Sequence, residues 1–477
     1  MTDPSSMPEH GLALVTGVTG YIGGLLVQPL LDAGWRVRVL TRDASKLENR
    51  PWHDAVDIVT GDAGEDDDLY RALDGVDVAY YLLHSMDGKG DFRARDRDLA
   101  ARFASAAERA DASRLVYLSG LHPSGELSEH LASRVEVGEI FLASEVPSAV
   151  LQAAVVLGEE SVSFRMLRFL TERLPAMIAP AWLNNRIQPI AIDDALHYLV
   201  GAATLPREVN RTFDIGGPDV LTYAQMIKRF ATVMEMRPRV VVTVPVLTPG
   251  LAGLWIGLVT PVSAGVARPL VGSLVHEVVC KEHDIDRFVP ELPGGPTGFD
   301  DAVHRAMATA EPSTGPGNLA VAGAAVAAAA VAGSIASDPT SRWYRSLDLP
   351  SWQPPGVVFP VVWTGLYASI AGTSASAVTT FIDRDTPEDS HRATDYWTRL
   401  GVNLALNTGW SWVFFRARSL PAATGWATAL AGSSIDLARA AGKAGPSHRR
   451  ALTPYAAWCV FATALSAEVW RRNAGRR

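Results

Sequence analysis

At 477 residues the chain is longer than one ordinary hydrophobic core organises, so two domains are expected. Its 43 Lys and Arg against 51 Asp and Glu leave a net charge of -8, which gives no electrostatic footing for nucleic acid. The two cysteines, Cys280 and Cys459, stand far apart in apolar runs; a disulfide framework is excluded and no metal is expected.

Met1 to His10 is polar and acidic, without the basic and apolar regions of a signal peptide, so the N-terminal part is expected in the cytoplasm. From Gly11 to about Val146 short apolar runs alternate with amphipathic stretches, the order of a parallel sheet covered by helices. Leu12 to Thr16, Val37 to Leu40, Val56 to Thr60, Val78 to Leu83 and Leu115 to Leu118 read as buried strands. Asp91 to Ala110 has helical spacing, with Phe92, Leu99, Phe103 and Ala106 or Ala107 on one face. The fold class is therefore α/β, a Rossmann-like doubly wound parallel sheet.

Gly17-Val18-Thr19-Gly20-Tyr21-Ile22-Gly23 directly follows the first strand and opens the next helix, where backbone N–H groups and the helix dipole hold a pyrophosphate. Gly17 permits the tight turn, Gly20 the close approach of a ligand, and Gly23 the packing of helix on strand. Gly17, Thr19, Gly20, Tyr21, Ile22 and Gly23 are thus candidate cofactor residues. The second strand ends in Leu40-Thr41-Arg42-Asp43; Arg42 suits a 2'-phosphate and points to NADP, while neighbouring Asp43 keeps NAD open. Asp62, after the third strand, is placed to contact adenine or simply to end the strand.

The TGxTGxxG turn, Gly61-Asp62, Tyr80-Tyr81-Leu82-Leu83-His84-Ser85-Met86, Val116-Tyr117-Leu118-Ser119-Gly120 and Gln188 to Ala195 resemble the atypical short-chain dehydrogenase/reductase superfamily, near its NmrA-like and epimerase-like members. The resemblance covers roughly residues 11 to 240 and implies a nicotinamide dinucleotide site. Such enzymes normally act through a Tyr and a Lys four residues later, and no Tyr-x-x-x-Lys stands where that helix belongs. His130-Leu131-Ala132-Ser133-Arg134 keeps the spacing, so His130 and Arg134 share a helix face. The catalytic candidates are His130 as proton donor or acceptor, Arg134 holding cofactor or substrate oxygens, and Ser119 orienting the substrate. The alternative is that His130 and Arg134 are ordinary polar residues of a partly exposed helix.

A substrate lobe is expected from about residue 160, with Ala149 to Leu157, a helix around Phe164 to Leu174, Thr212 to Pro218, and a helix from Tyr223 to Met234. Val240 to Val275 is apolar but carries Pro245, Pro249, Pro261 and Pro269, so it reads as buried or membrane-skimming rather than spanning. The NAD(P)-binding part then runs over residues 1–309, and 310–317 is a linker rich in Pro and Gly.

Five apolar stretches follow in 318–477: Leu319 to Ala336, Val357 to Thr379, Leu400 to Phe415, Ala422 to Leu437 and Ala451 to Trp470. They read as an all-α bundle of five membrane spans, the third and fourth needing their polar flanks to reach about 20 residues, and the Ala-rich first being the least convincing by pattern. Nine of the 13 tryptophans lie from Trp343 onward, as expected where amphipathic rings meet a membrane interface. Trp352-Gln353-Pro354-Pro355, Val362 to Tyr367, Asn403 to Phe415, Pro454 to Trp458 and Phe461-Ala462-Thr463-Ala464-Leu465 resemble, in order, the tryptophan-rich sensory protein or translocator protein (TspO) family.

That resemblance implies a flat apolar ligand, a tetrapyrrole, sterol-like or isoprenoid molecule with porphyrin the leading case, against Trp352, Pro355, Trp363, Asn407, Trp410, Trp458 and Ala462. It also implies a lipid bilayer as partner and allows a homodimer through the membrane part. An Asn407 within a membrane needs a ligand or a neighbouring helix as partner, and the alternative for the aromatics is interfacial anchoring and helix packing. Leu465-Ser466 departs from the family's Leu-Asn, and no Tyr precedes Arg471 as in the proposed cholesterol motif, which weakens sterol binding by that route. Five spans with a cytoplasmic N-terminal part leave Arg471, Arg472, Arg476 and Arg477 outside, partly offset by Arg439, Lys443, Arg449 and Arg450 inside. Two functions are consistent with this: a membrane-tethered NADP-dependent oxidoreductase, favoured by the full sheet and substrate lobe, or a non-catalytic NADP(H)-responsive sensor coupled to porphyrin binding or transport, favoured by the missing Tyr-x-x-x-Lys.

Overall fold

A computed structural model describes residues 10–83, 92–122, 127–174, 176–244, 260, 272, 275–292, 294–308, 310, 315–384 and 386–475. The chain divides into two compact units that meet in sequence at 311/312.

The first unit carries a sheet of seven strands: β1 (Leu12–Val15), β2 (Arg36–Thr41), β3 (Asp57–Thr60), β4 (Val78–Tyr81), β5 (Arg114–Gly120), β6 (Ser148–Ala153) and β11 (Arg211–Ile215). All pairings are parallel and the spatial order is β11-β6-β5-β4-β1-β2-β3. Alternate side chains of each strand leave on opposite faces, so both must be covered. Val15, Val39, Tyr80, Val116 and Leu118 face α1 (Tyr21–Asp32) and α6 (Ile192–Ala202). Leu14, Leu40, Ala79, Tyr81 and Tyr117 face α2 (Asp66–Leu73), α3 (Phe92–Arg109) and α4 (Glu129–Leu142).

The order reverses between β1 and β4: the chain moves outward from β1 through β2 to β3, then returns to the other side of β1. Doubly wound sheets bind ligands at such a crevice, at the carboxyl ends of the strands. Thr16 closes that end of β1. Its buried hydroxyl donates to the Tyr80 carbonyl (2.9 Å) and accepts from the Leu82 N–H (3.2 Å).

The expected strands and helices all form, with ends shifted by a few residues. In α3 the buried face is Asp96, Ala100, Phe103, Ala104, Ala106 and Ala107, while Phe92 and Leu99 are only half-buried. The register turns because Asp96 accepts from Ser133 Oγ of α4 (3.1 Å), which draws that polar position inward. His84, Ser85 and Met86 lie outside the described residues. A lobe follows β6: β7 (Val156–Leu157) pairs with β10 (Ile190–Ala191), β8 (Ala176–Pro180) with β13 (Val240–Val244), and β9 (Arg186–Ile187) with β12 (Leu221–Thr222), around α5 (Val162–Arg173), α7 (Tyr223–Val233) and α8 (Phe299–Ala308). The apolar stretch expected over Val240 to Val275 begins as a strand, and its four prolines lie outside the described residues.

The second unit holds five long helices, α9 (Gly315–Ala336), α10 (Val358–Ile382), α11 (Pro387–Ser411), α12 (Leu420–Ala441) and α13 (Pro446–Asn473). Each carries one of the expected apolar stretches, the second from Val358 and the third as far as Ser411. The third grows by three N-terminal turns because Thr386 caps it through the Asp389 N–H (3.1 Å), and Arg399 pairs with Asp395 one turn back (2.8 Å). It ends in a π-helical turn, Trp412–Arg416. Val326, Leu366, Ile370, Tyr396, Leu400, Leu430, Leu452 and Tyr455 form the interior. Among the described residues one segment is long and apolar enough by itself to cross a membrane: Gly317–Ala336, with mean hydropathy 2.1. That is the stretch whose pattern was weakest; Ala and Val give no periodicity but raise hydropathy throughout.

Thr16→Val keeps the shape of the β1 terminus but leaves the Leu82 N–H without its acceptor. It is expected to cost about 1–3 kcal/mol, read as a lowered unfolding midpoint; an unchanged midpoint would remove this bond from the account.

Candidate functional site

The turn after β1 is built around backbone proximity. Gly17 has φ +68, and a Cβ there would lie 2.4 Å from the Leu82 carbonyl oxygen, so both conformation and space demand glycine. A Cβ on Gly23 would lie 2.4 Å from the Gly17 oxygen, which sets how closely α1 approaches the turn. The Gly20 N–H donates to that same oxygen (2.9 Å), and Gly20 is the N-cap of α1. No side chain caps α1 and its first turn holds no acid. The N–H groups of the first turn and the positive end of the helix dipole thus meet the crevice, and the cradle fits a pyrophosphate.

Two residues from the turn continue inward. Ile22 lines a cavity of about 200 Å³. Tyr21 places its hydroxyl against Gly158, where a Cβ would stand 2.2 Å away, and burial pushes its phenol up to about 12. Tyr21 therefore packs toward the segment after β7 and stays protonated at neutral pH. Thr19 and Gly20 are exposed.

At the end of β2, Arg42 is exposed and makes no ion pair among the described residues, whereas Asp43 is engaged. Its carboxylate accepts from the Ser45 N–H (3.2 Å) and hydroxyl (2.6 Å), and the Ser45 hydroxyl holds it below the usual carboxylate range. Asp62 is exposed, and its Oδ1 accepts from the Gly64 N–H (2.9 Å), as a strand-ending turn requires.

The cavity touched by Ile22 is also lined by Ser119, His130 and Arg134. Ser119 ends β5 with its side chain on the α4 face, donating to the Arg134 carbonyl (3.4 Å). His130 and Arg134 lie one turn apart on α4, which Ser128 starts by accepting from the Leu131 N–H (3.3 Å). Arg134 donates to the Leu118 carbonyl (2.7 Å), and its guanidinium sits 5.9 Å from the Tyr117 ring. Its Nε is buried without a hydrogen-bond partner among the described residues. Arg134 is thus fixed to the strand, with one unmet donor, rather than extended toward a ligand.

Sequence reasoning missed His122, three residues past Ser119. It is half-buried, within 3.2 Å of Gln152 Nε2, and burial lowers its pKa while the Asp214 carboxyl opposes the shift. Asp214 itself is raised by burial and accepts from the Lys281 N–H (2.7 Å). The only signal for this cluster was the position of His122 after a strand's carboxyl end; Gln152 and Asp214 come from distant strands.

In the bundle, Asn407 finds its partners on neighbouring helices. Tyr367 of α10 donates to its Oδ1 (2.8 Å), and its Nδ2 makes a long contact with the Tyr455 hydroxyl (3.5 Å). Tyr455 of α13 donates in turn to Asn403 Oδ1 (2.8 Å), and Asn403 donates to Ser434 of α12 (3.2 Å). One polar chain thereby joins four helices, and Asn403, wholly buried, was not singled out as a site residue by sequence.

The aromatic candidates separate into two groups. Trp363 meets Tyr367 and Tyr455, while Trp458 meets Phe359 and Phe461, and Trp352 meets Phe461. Trp410 stacks instead on Phe414 (5.0 Å), in the π-helical turn that also reaches Trp343. That turn, by changing the helical repeat, rotates the rings after Ser411. Ala462 is half-buried beside Phe461, and Pro355 is exposed.

The two units are similar to different known proteins. A model of NAD(P)H-binding domains matches residues 17–168, and the TspO/MBR family model matches 320–471. Ceramide reductase of Caulobacter vibrioides is 30% identical over 49% of this chain and 73% of that protein. Human translocator protein is 33% identical over 28% of this chain and 78% of that protein. Among solved structures, triphenylmethane reductase of Citrobacter sp. shares the fold, with a TM-score of 0.51 and 16% identity over 63% of this chain and all of that one.

Tyr455→Phe takes the donor from the buried Asn403 Oδ1 and is expected to cost about 1–3 kcal/mol. Thermal unfolding in detergent reads the loss; a wild-type midpoint would show the polar chain to be dispensable.

Proposed function

The chain belongs to the NAD(P)H-binding reductases through its N-terminal unit and to the TspO/MBR family through its C-terminal unit, and from this premise we propose a membrane-tethered, NADP-dependent oxidoreductase acting on an apolar carbonyl or alcohol. One observation carries the reading: Ile22 of the glycine turn shares a cavity with Ser119, His130 and Arg134. A dinucleotide held at the turn and a substrate beside α4 would then be neighbours.

Gly17, Gly20 and Gly23, with Thr19 beside them, would hold the pyrophosphate against the start of α1, with Ile22 on the cofactor side of the shared cavity. Asp62 flanks the adenine. Arg42 takes the 2'-phosphate; the engagement of Asp43 by Ser45 leaves that carboxylate less able to accept ribose hydroxyls, which supports NADP over NAD. The bound cofactor supplies or accepts a hydride. His130 exchanges the proton at the substrate oxygen, Ser119 orients that oxygen, and Arg134, anchored on Leu118, fixes the α4 turn.

An apolar substrate is supported by the ceramide reductase relative and by the 3 beta-hydroxysteroid dehydrogenase/isomerase of Mycobacterium tuberculosis, 33% identical over 25% of this chain but only 34% of that protein. The five helices would cross the bilayer; α10 and α13, at 25 and 28 residues, rise about 38 and 42 Å. The bundle takes a flat apolar ligand, a porphyrin among those to test, with Trp352, Trp363, Trp458, Ala462 and Pro355 at one aromatic group and Trp410 at the other. Asn407 shapes the interior through its helix partners rather than by direct contact. A second reading, an NADP(H)-responsive sensor without turnover, is favoured by one observation: the residue in the Lys position is tied to a backbone carbonyl.

With the full chain in vesicles containing long-chain ketones, NADPH consumption is expected to fall about 100-fold in His130→Ala with NADPH affinity kept. Arg42→Ala is expected to weaken NADPH about tenfold and leave NADH unchanged. Wild-type turnover in the first variant removes His130 from the mechanism, and equal losses for both cofactors remove Arg42 from 2'-phosphate recognition.

A further inference from the structure

Between the end of α12 and the start of α13 lies a cleft of about 530 Å³ lined by Arg439, Lys443, Arg449, Arg450 and Thr453. All four cations are exposed, and none makes an ion pair among the described residues. No acidic residue lines the cleft or stands in the first turn of α13. Gly442 permits the crowding: a Cβ there would meet Arg449 Cβ at 3.2 Å, so the Arg449 stem crosses directly over the loop.

This arrangement is electrostatically unfavourable as it stands. Arg439 and Lys443 suit the negative end of α12, but Arg449 and Arg450 stand in the first two turns of α13, where the helix dipole is positive and repels them. Elsewhere at this end of the bundle cations are neutralised: Arg392 pairs with Asp389 (2.8 Å), and Arg384 donates to the Ala444 carbonyl (2.7 Å). The cleft alone gathers positive charge with nothing opposite it, in a space that admits a group larger than water.

We propose that this cleft binds the phosphate of an anionic phospholipid headgroup. Arginine forks match phosphate oxygens in pairs. The lipid source rests on the membrane reading of the bundle given above: the cleft sits at the joint of two spans, at headgroup level, at the end where α9 begins. That end is set by the Asn318 to Thr379 bond (2.9 Å) at the start of α9 and by Arg384, from the α10–α11 turn, reaching the cleft's own loop. A basic pocket between helices at this level holds anionic lipid and keeps its side facing the cytoplasm.

The test is native mass spectrometry of the full chain in detergent with phosphatidylglycerol or phosphatidylcholine added. The expected result is preferential retention of phosphatidylglycerol, lowered about fivefold per cation removed in Arg449→Gln/Arg450→Gln, and kept in Arg471→Gln, which lies at the far end of α13. Equal retention of the two lipids, or undiminished retention in the Gln pair with an unaltered melting midpoint, overturns the site. Displacement of the lipid by inorganic phosphate at equal concentration overturns the lipid source. Carbonate extraction separates the two failures: release of the chain from membranes sinks the membrane reading, whereas a chain that stays in membranes without headgroup preference sinks the cleft alone.

Discussion

The close approach of backbone to backbone at the end of β1 is the constraint on which the N-terminal unit depends. Thr16 ties that strand to β4 through one buried hydroxyl, Gly17 passes within van der Waals reach of Leu82, and Gly23 brings α1 against the Gly17 carbonyl. The two glycine contacts exclude a side chain, and together with the Thr16 bonds they aim the start of α1 into the crevice where the sheet order reverses. Ile22 is carried into the cavity beneath Ser119 by the same geometry, so cofactor turn and proposed catalytic helix share one space without a bond between them.

The bundle answers a different constraint. An apolar interior penalises every unmet polar group, and this one keeps Asn403, Asn407, Tyr367, Tyr455 and Ser434 by linking them in sequence across four helices. The chain of bonds fixes helix register more than it offers a free polar group to a ligand. Recognition of a flat apolar molecule would then fall to the rings around it, where Trp363 and Trp458 pack among the rings of α10 and α13 and Trp410 stacks on Phe414 of the π-helical turn.

Much of this was legible in residue order. Short continuous apolar runs marked the strands, glycine spacing marked the nucleotide turn, and the separated aromatic motifs marked the second unit as TspO-like, in agreement with the matched family models. What escaped were relations set by tertiary packing. Asp96 turns α3 by bonding to Ser133, a partner 37 positions away, so a hydrophobic count misplaced its buried face. His122 joins Gln152 and Asp214 only because β5, β6 and β11 are neighbours in the sheet. The His130 and Arg134 pair was visible from its spacing, but that Arg134 would spend one N–H on the Leu118 carbonyl was not, because helix spacing says which residues share a face and nothing about the strand beneath.

Hydride transfer is the claim on which the enzymatic account stands, and isotope transfer tests it most directly. The full chain, reconstituted with a long-chain ketone and NADPH deuterated at the nicotinamide C4, should place deuterium on the carbinol carbon from one C4 face only, one atom for each NADPH consumed. Saturable NADPH binding with no deuterium in any apolar product would contradict the account and leave the sensor reading in its place.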